Sequence, residues 1–383
     1  MKAREIMDRG LYIHLPFCRS KCHYCDFPSY AGREELMGPY LQALLGHIDS
    51  YKTHGEKYRI STIYLGGGTP TLFNGQQLAK VLERCMETFL LNDDAEITVE
   101  CNPESVDQNK LGLLRDSGYN RLSIGLQAWQ DQHLELLGRG HTRQHFLDSV
   151  KWAKEAGFEN ISADVIFGIP NQTLDQWLAT LEGAVSSGVS HLSAYSLIIE
   201  EGTRLAKLKS RGDIIEMDDS DERRLYHRGI EMLDQLGLSQ YEISNFSKIG
   251  CESKHNLNYW KNGEYLGIGS AAHSYLKGVR RANTHDIKTY IDNVGEGSVL
   301  VYTEEIDQDQ EVFETLMLGF RLNEGIYKEE FFNRFGFPIE KGYSAQLESL
   351  EAQGLIRVDD KAIRPTALGM DFQNTIALTF LDQ

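Results

Sequence analysis

Six short apolar runs, each followed by a stretch of helical spacing, constrain the fold of this chain more than any other feature. They span Leu11–Leu15, Ile60–Leu65, Glu96–Glu100, Arg121–Leu126, Ile161–Phe167 and His191–Tyr195. Between them the apolar spacing predicts helices over Arg33–Tyr51, Gly75–Leu90, Asp107–Ser117, Asp131–Leu137, Arg143–Ala156 and Leu174–Ser186. Alternation of this kind implies parallel βα units. Eight units close a full barrel; six leave an α/β fold with an open, three-quarter (β/α)6 TIM-like barrel. Ligands of such folds collect at the C-terminal ends of the strands. The polar and glycine-rich motifs of this chain fall at or near those ends: a cysteine loop after Leu15, then Gly66-Gly67-Gly68-Thr69, Glu100, Gln127 and Asp164.

The pattern changes after the sixth run. A long charged helix is expected over Asp218–Leu236 and a strand over Ser239–Phe246, followed by a loop from Cys251 to Trp260. Helices are then expected at Gln310–Arg321, Lys328–Arg334 and Gly342–Gln353, with a hairpin over Leu355–Pro365. Helices followed by a hairpin suggest a small winged-helix-like C-terminal domain. The expected division is 1–240 for the partial barrel, 241–305 for a connecting segment and 306–383 for the C-terminal domain.

The cysteine loop reads Cys18-Arg19-Ser20-Lys21-Cys22-His23-Tyr24-Cys25, a C-x3-C-x2-C spacing. Cubane clusters are held by cysteine thiolates, usually four. Three ligands with no fourth nearby would leave one iron of a [4Fe–4S] cluster open to a small molecule. A zinc site with His23 as fourth ligand is the first alternative, and plain packing the second. The scattered Cys85, Cys101 and Cys251 are expected to pack as small apolar residues. Gly66-Gly67-Gly68 is either a simple turn or a place of close approach to a ligand.

Composition narrows the setting. The net charge of −17 over 383 residues disfavours a nucleic-acid partner. The start, Met1 to Arg9, is charged and unlike a secretory signal, and no window reaches the ~18 apolar residues of a membrane span. A cytoplasmic protein is expected, with peripheral membrane contact and a homodimer both left open.

The cysteine spacing with Tyr24 inside it, at the end of a first strand and ahead of Gly66-Gly67-Gly68-Thr69-Pro70, resembles the radical S-adenosylmethionine superfamily. The resemblance implies that S-adenosylmethionine chelates the open iron. Tyr12-Ile13-His14-Leu15-Pro16-Phe17, Glu100-Cys101-Asn102-Pro103, Arg121 to Gln127 and Asp164 to Pro170 extend it over most of the chain. They narrow it to the coproporphyrinogen dehydrogenase group, and within that to a haem-chaperone branch. By resemblance, Tyr12, Gly67, Gly68, Thr69, Glu100, Gln127, Arg139 and Asp164 contact S-adenosylmethionine, and Tyr24 stacks near its adenine.

Two features select the branch. The oxidases of the group carry one more cysteine, in a C-x3-C-x2-C-x-C run; here that place is Phe27. The stretch His255-Asn256-Leu257-Asn258-Tyr259-Trp260 is similar to the H-N-x-x-Y-W signature of the branch, which implies haem binding by His255, Tyr259 and Trp260. The bland alternative is a packed loop in which His255 is hydrogen-bonded internally. Relatives often carry a cysteine two residues before that histidine; here it is Ser253, with Cys251 displaced. His14 and His273 are the weaker candidates for that role and are expected to be structural. The resemblance implies a chaperone that passes haem to apo-haemoproteins of the respiratory chain. The alternative is an oxygen-independent coproporphyrinogen III dehydrogenase.

Overall fold

The computed structural model describes residues 8–54, 58–294 and 299–381; the charged start at 1–7 lies outside them. The six apolar runs become six parallel strands: β1 (Arg9–Leu15), β2 (Arg59–Gly67), β3 (Leu90–Cys101), β4 (Arg121–Gln127), β5 (Asn160–Phe167) and β6 (His191–Ser196). They pair in that order. One side of each strand packs on the helices through Ile63, Val99, Leu122, Ile124, Val165 and Leu192. The alternating residues of the same strands point inward, and they include Tyr64, Glu100, Arg121, Ser123, Asp164 and Ser193. The interior is therefore polar.

The barrel stays open, and the chain extends both edges of the sheet. Beyond β6 lie β7 (Ser239–Glu242) and β8 (Asn245–Ser247), antiparallel, in the order β6-β8-β7. The expected strand over Ser239–Phe246 is thus two strands, broken at Ile243-Ser244. Beyond β1 lies β9 (Tyr265–Ile268), parallel to it, then β10 (His273–Leu276), β11 (Val279–Asn283) and β12 (Leu300–Glu305). These four short strands carry little periodic signal, because glycines interrupt them and β12 is mostly exposed.

Between the two edges runs a helix over Lys254–Trp260, where the sequence suggests a loop. Ser253 caps it by accepting from the N–H of Asn256. The carboxylate of Glu96 on β3 accepts from the N–H groups of Lys254 and His255, at 3.1 Å each. A carboxylate suits the orphan donors of a helix start. The helix crosses the barrel from β8 to β9 near the N-terminal ends of β2 and β3, and so forms its floor.

The C-terminal part has its own core of Val312, Leu316, Phe320, Phe331, Leu350 and Ile363. Helices Gln308–Gly319, Lys328–Phe335 and Ile339–Ala352 pack on a small sheet of Ile326–Tyr327, Ala362–Pro365 and Ile356–Val358. This is the winged-helix-like arrangement. Arg334 fastens it to the floor helix by donating to the carbonyls of Lys261 at 3.1 Å and Asn262 at 2.8 Å.

Candidate functional site

At the C-terminal ends of the strands the barrel opens into a cavity of about 540 Å³. Cys18, Cys22 and Cys25 form part of its wall. The loop that carries them is held by main-chain bonds. Gly68 N–H donates to the Leu15 carbonyl at 2.9 Å, and Thr69 N–H to the Phe17 carbonyl at 2.7 Å. Only glycine permits this approach: a Cβ on Gly68 would lie 2.5 Å from the Phe17 oxygen. Gly67 adds a left-handed φ of 109°. The triple glycine thus lets the end of β2 lie against the backbone of the cysteine loop.

The thiols are half-buried and share one cavity. Among the described residues, no three Cys, His, Asp or Glu side chains converge tightly enough to ligate a single ion. A cluster binds each thiolate through a different iron, so its ligands need not meet at a point. His23 is not turned toward the thiols: its Nδ1 donates to the Leu136 carbonyl at 2.8 Å, and its ring packs over Gly138. Donors to sulfur are in place. Arg139 Nη1 reaches Cys22 Sγ at 3.3 Å, and Thr69 Oγ1 reaches Cys18 Sγ at 3.8 Å. Both set a donor beside a sulfur, while burial pushes the Cys18 thiol up. The donor set fits a cluster.

The same cavity holds two half-buried carboxylates. Glu100 accepts from Tyr64 Oη at 2.8 Å and from the Gly67 N–H at 3.3 Å. Burial, with nearby Asp164 adding to it, pushes its pKa from 4.5 up to about 7. Asp164 accepts from Ser123 Oγ at 3.0 Å on both oxygens, and burial raises its pKa also. Carboxylates in this state are poised for a cationic or hydroxyl-bearing ligand. Gln127 sits among them with φ 66°, a left-handed conformation uncommon outside glycine. Gly125 leaves room for it, since a Cβ there would meet Gln127 Nε2 at 2.8 Å and Arg139 Nη2 at 2.9 Å.

Tyr12, Tyr24, Thr69, Glu100, Gln127, Arg139 and Asp164 all line the cavity together with Gly67 and Gly68. Asn102 was not singled out by the sequence, yet it ties two of them together. Its Oδ1 accepts from Arg139 Nη2 at 2.6 Å, and its Nδ2 donates to Thr69 Oγ1 at 3.1 Å. Tyr64, Ser123 and Arg121 were missed too. The signal was available: Tyr64 lies two residues from Gly66 on β2, and Ser123 and Arg121 lie four and six from Gln127 on β4, hence on the same face.

His255, Tyr259 and Trp260 lie elsewhere. The expected presentation of His255 to a ligand is not found. Its ring is 1% exposed. Both nitrogens are engaged, Nδ1 with Thr62 Oγ1 at 2.7 Å and Nε2 with Tyr259 Oη at 2.9 Å. It stacks on Tyr64, ring centroids 5.1 Å apart. Burial lowers its pKa to about 3, so it is a neutral, internally satisfied histidine. Trp260 packs against the Arg321 guanidinium, in a cleft beside the C-terminal domain. His14 is likewise internal: Nε2 donates to the Pro28 carbonyl and Nδ1 accepts from Tyr12 Oη. Cys85 and Cys101 are buried, and Cys251 is half-buried.

The pattern of the Radical SAM superfamily matches residues 12–184, and that of the HemN C-terminal domain residues 306–372. The chain is 36% identical to the heme chaperone HemW of Bacillus subtilis, over 98% of this chain and 100% of that one. The chain belongs to the HemW branch of the radical SAM superfamily. HemW of Escherichia coli is similar as well, at 33% identity over 97% of this chain and 98% of that one. The solved structure of coproporphyrinogen III oxidase (HemN) from Escherichia coli shares the fold. Its TM-score is 0.85 at 23% identity, covering 99% of this chain and 91% of that one. Among the described residues of this HemW-family chain, no helix is long and apolar enough to cross a membrane.

Proposed function

We propose that this chain is a haem chaperone that binds haem, holds a [4Fe–4S] cluster and passes haem to apo-haemoproteins of the respiratory chain. The observation that carries the reading is the end-to-end match to HemW at 36% identity. The oxidases' further cysteine is replaced by Phe27, whose side chain is 66% exposed at the cavity rim. Cys18, Cys22 and Cys25 would hold the cluster, which supplies single electrons when bound. Glu100 and Asp164 would receive the amino and hydroxyl groups of S-adenosylmethionine. Tyr12, Gly67, Gly68, Thr69 and Gln127 would shape its seat, with Tyr24 against the adenine and Arg139 toward its carboxylate. The division proposed is 1–240 for this cofactor site, 241–305 for its floor and edge, and 306–383 for a winged-helix-like C-terminal domain.

Haem ligation by His255 would require its ring to leave Thr62 and Tyr259. The rim of the cavity is better disposed toward a planar macrocycle. Phe27, Tyr195 and Ile198 stand there 66%, 43% and 66% exposed. Large apolar side chains grouped in water mark a surface that a ligand covers. The test is anaerobic reconstitution followed by transfer of bound haem to an apo-haemoprotein. Conversion of coproporphyrinogen III to protoporphyrinogen with S-adenosylmethionine would overturn the chaperone reading.

A further inference from the structure

Asn102 follows the end of β3 and meets the two side chains that reach the cysteine sulfurs. Pro103 comes next, which restricts Asn102 to extended backbone; its φ and ψ are −91° and 136°. Its carbonyl accepts from the Ser105 N–H at 2.9 Å and from Ser105 Oγ at 2.7 Å. Ser105 Oγ in turn lies 2.6 Å from Thr71 Oγ1, in the turn after the triple glycine. The side chain of Asn102 is therefore aimed from a braced turn, and a braced turn can hold its partners in a set geometry.

The direction of each hydrogen bond around that side chain is fixed by its partners. A guanidinium only donates, so Arg139 Nη2, 2.6 Å away, faces the amide oxygen. The amide nitrogen is left facing Thr69 Oγ1 at 3.1 Å, and an NH2 group only donates. Thr69 therefore accepts there, and its own hydrogen is free for Cys18 Sγ at 3.8 Å. Arg139 turns its other terminal nitrogen to Cys22 Sγ at 3.3 Å. The Gly125 carbonyl accepts from Nη2 as well, at 3.2 Å, which steadies the guanidinium. Through its two ends, one amide aims one donor at each of two sulfurs.

We propose that Asn102 is a positioning residue for the cluster: it directs Arg139 to Cys22 and Thr69 to Cys18, and so sets the reduction potential of the cluster those thiolates hold. The inference rests on the three-thiolate cluster of the function proposed above. Hydrogen bonds to the sulfurs are among the factors that set a cluster's potential, and they favour its reduced, more negative state. An aspartate at 102 still accepts from Arg139 but offers no hydrogen to Thr69. The Thr69 hydroxyl then donates to that carboxylate, and Cys18 loses the donor.

The experiment compares the full-length, anaerobically reconstituted chain with Asn102→Ala, Asn102→Asp, Thr69→Val and the double variant Asn102→Ala with Thr69→Val. Iron analysis and thermal melts identify the folded, four-iron proteins; if the alanine variant is not among them, Asn102→Asp takes its place in the cycle. Midpoint potentials are read by redox titration, followed through the electron paramagnetic resonance of the reduced cluster. The expected result for each Asn102 variant is a fall of about tenfold in the reduction equilibrium, which is about 59 mV for one electron. Thr69→Val falls too, and the double variant falls by less than the sum of the singles, because part of the asparagine effect passes through Thr69. Potentials that stay at the wild-type value while the melts drop overturn the inference, and so do strictly additive shifts. A wild-type chain that assembles no four-iron cluster overturns the cluster reading, and this inference with it.

Discussion

Tyr64 joins the floor of the barrel to its mouth: its hydroxyl donates to Glu100 at 2.8 Å while its ring lies on His255, centroids 5.1 Å apart. The residue read from sequence as a haem ligand therefore supports, through one tyrosine, a carboxylate of the cofactor cavity.

Glu100 links the site to pH. Burial raises its folded pKa from 4.5 to about 7, so the fold prefers the protonated carboxyl. The stability this contributes is complete below pH 4.5 and is lost as pH rises through about 7. Glu100→Gln should flatten the decline of the melting temperature across that window. A ligand ammonium at the site favours the charged form, so binding of S-adenosylmethionine near pH 6 should release a proton. Calorimetry in two buffers of different ionisation enthalpy reads this directly. Equal proton release by wild type and Glu100→Gln would sink the assignment.

His255→Ala should leave the haem absorption spectrum and haem affinity unchanged. It should lower stability by about 2–4 kcal/mol, because it empties a packed position and leaves Thr62 and Tyr259 without their partner. Denaturant unfolding and a haem titration on the same preparation separate the two effects. A lost haem spectrum at unchanged stability would restore the histidine as a ligand.

Gly68→Ala is expected to force the cysteine loop from the end of β2, since the Phe17 and Leu15 backbone cannot yield as a side chain would. A cost of about 1–3 kcal/mol is typical of such overpacking. Weaker binding of S-adenosylmethionine should accompany it. Binding and melting indistinguishable from wild type would show that the loop adapts freely.

Cys22→Ser should abolish the four-iron chromophore, while Cys251→Ser should retain it. Iron and sulfide analysis after anaerobic reconstitution gives the count. Full iron occupancy in Cys22→Ser would refute the three-thiolate site.

The strands of the barrel were readable because their helix-facing side sets buried apolar residues at alternate positions, as in Ile97 and Val99 or Leu122 and Ile124. The cysteine loop and the triple glycine were readable because their geometry is set within a few residues. What escaped depends on contacts between distant segments. Asn102 matters because Arg139 and Thr69 meet it, and neither is near it in sequence. Arg121 looks like any strand-edge charge until the register places it beside Thr98 and Asn160 with its side chain inward. The sealing of His255 escaped because a motif records which residues occur together, not that Thr62 and Tyr259 engage both ring nitrogens. The helix over Lys254–Trp260 escaped because Glu96, more than 150 positions earlier, satisfies its first donors.

The pairing of β1 with β9, sealed by the Arg9–Glu264 ion pair at 2.7 Å, joins residues 255 positions apart. During synthesis the three cysteines leave the ribosome early, but the strand beneath them acquires that neighbour only after Ile268 has emerged. At ordinary elongation rates the interval is on the order of tens of seconds. Insertion of the proposed cluster into a finished site would therefore follow translation of most of the chain, and a nascent chain stalled before β9 would carry its thiols on an incomplete sheet.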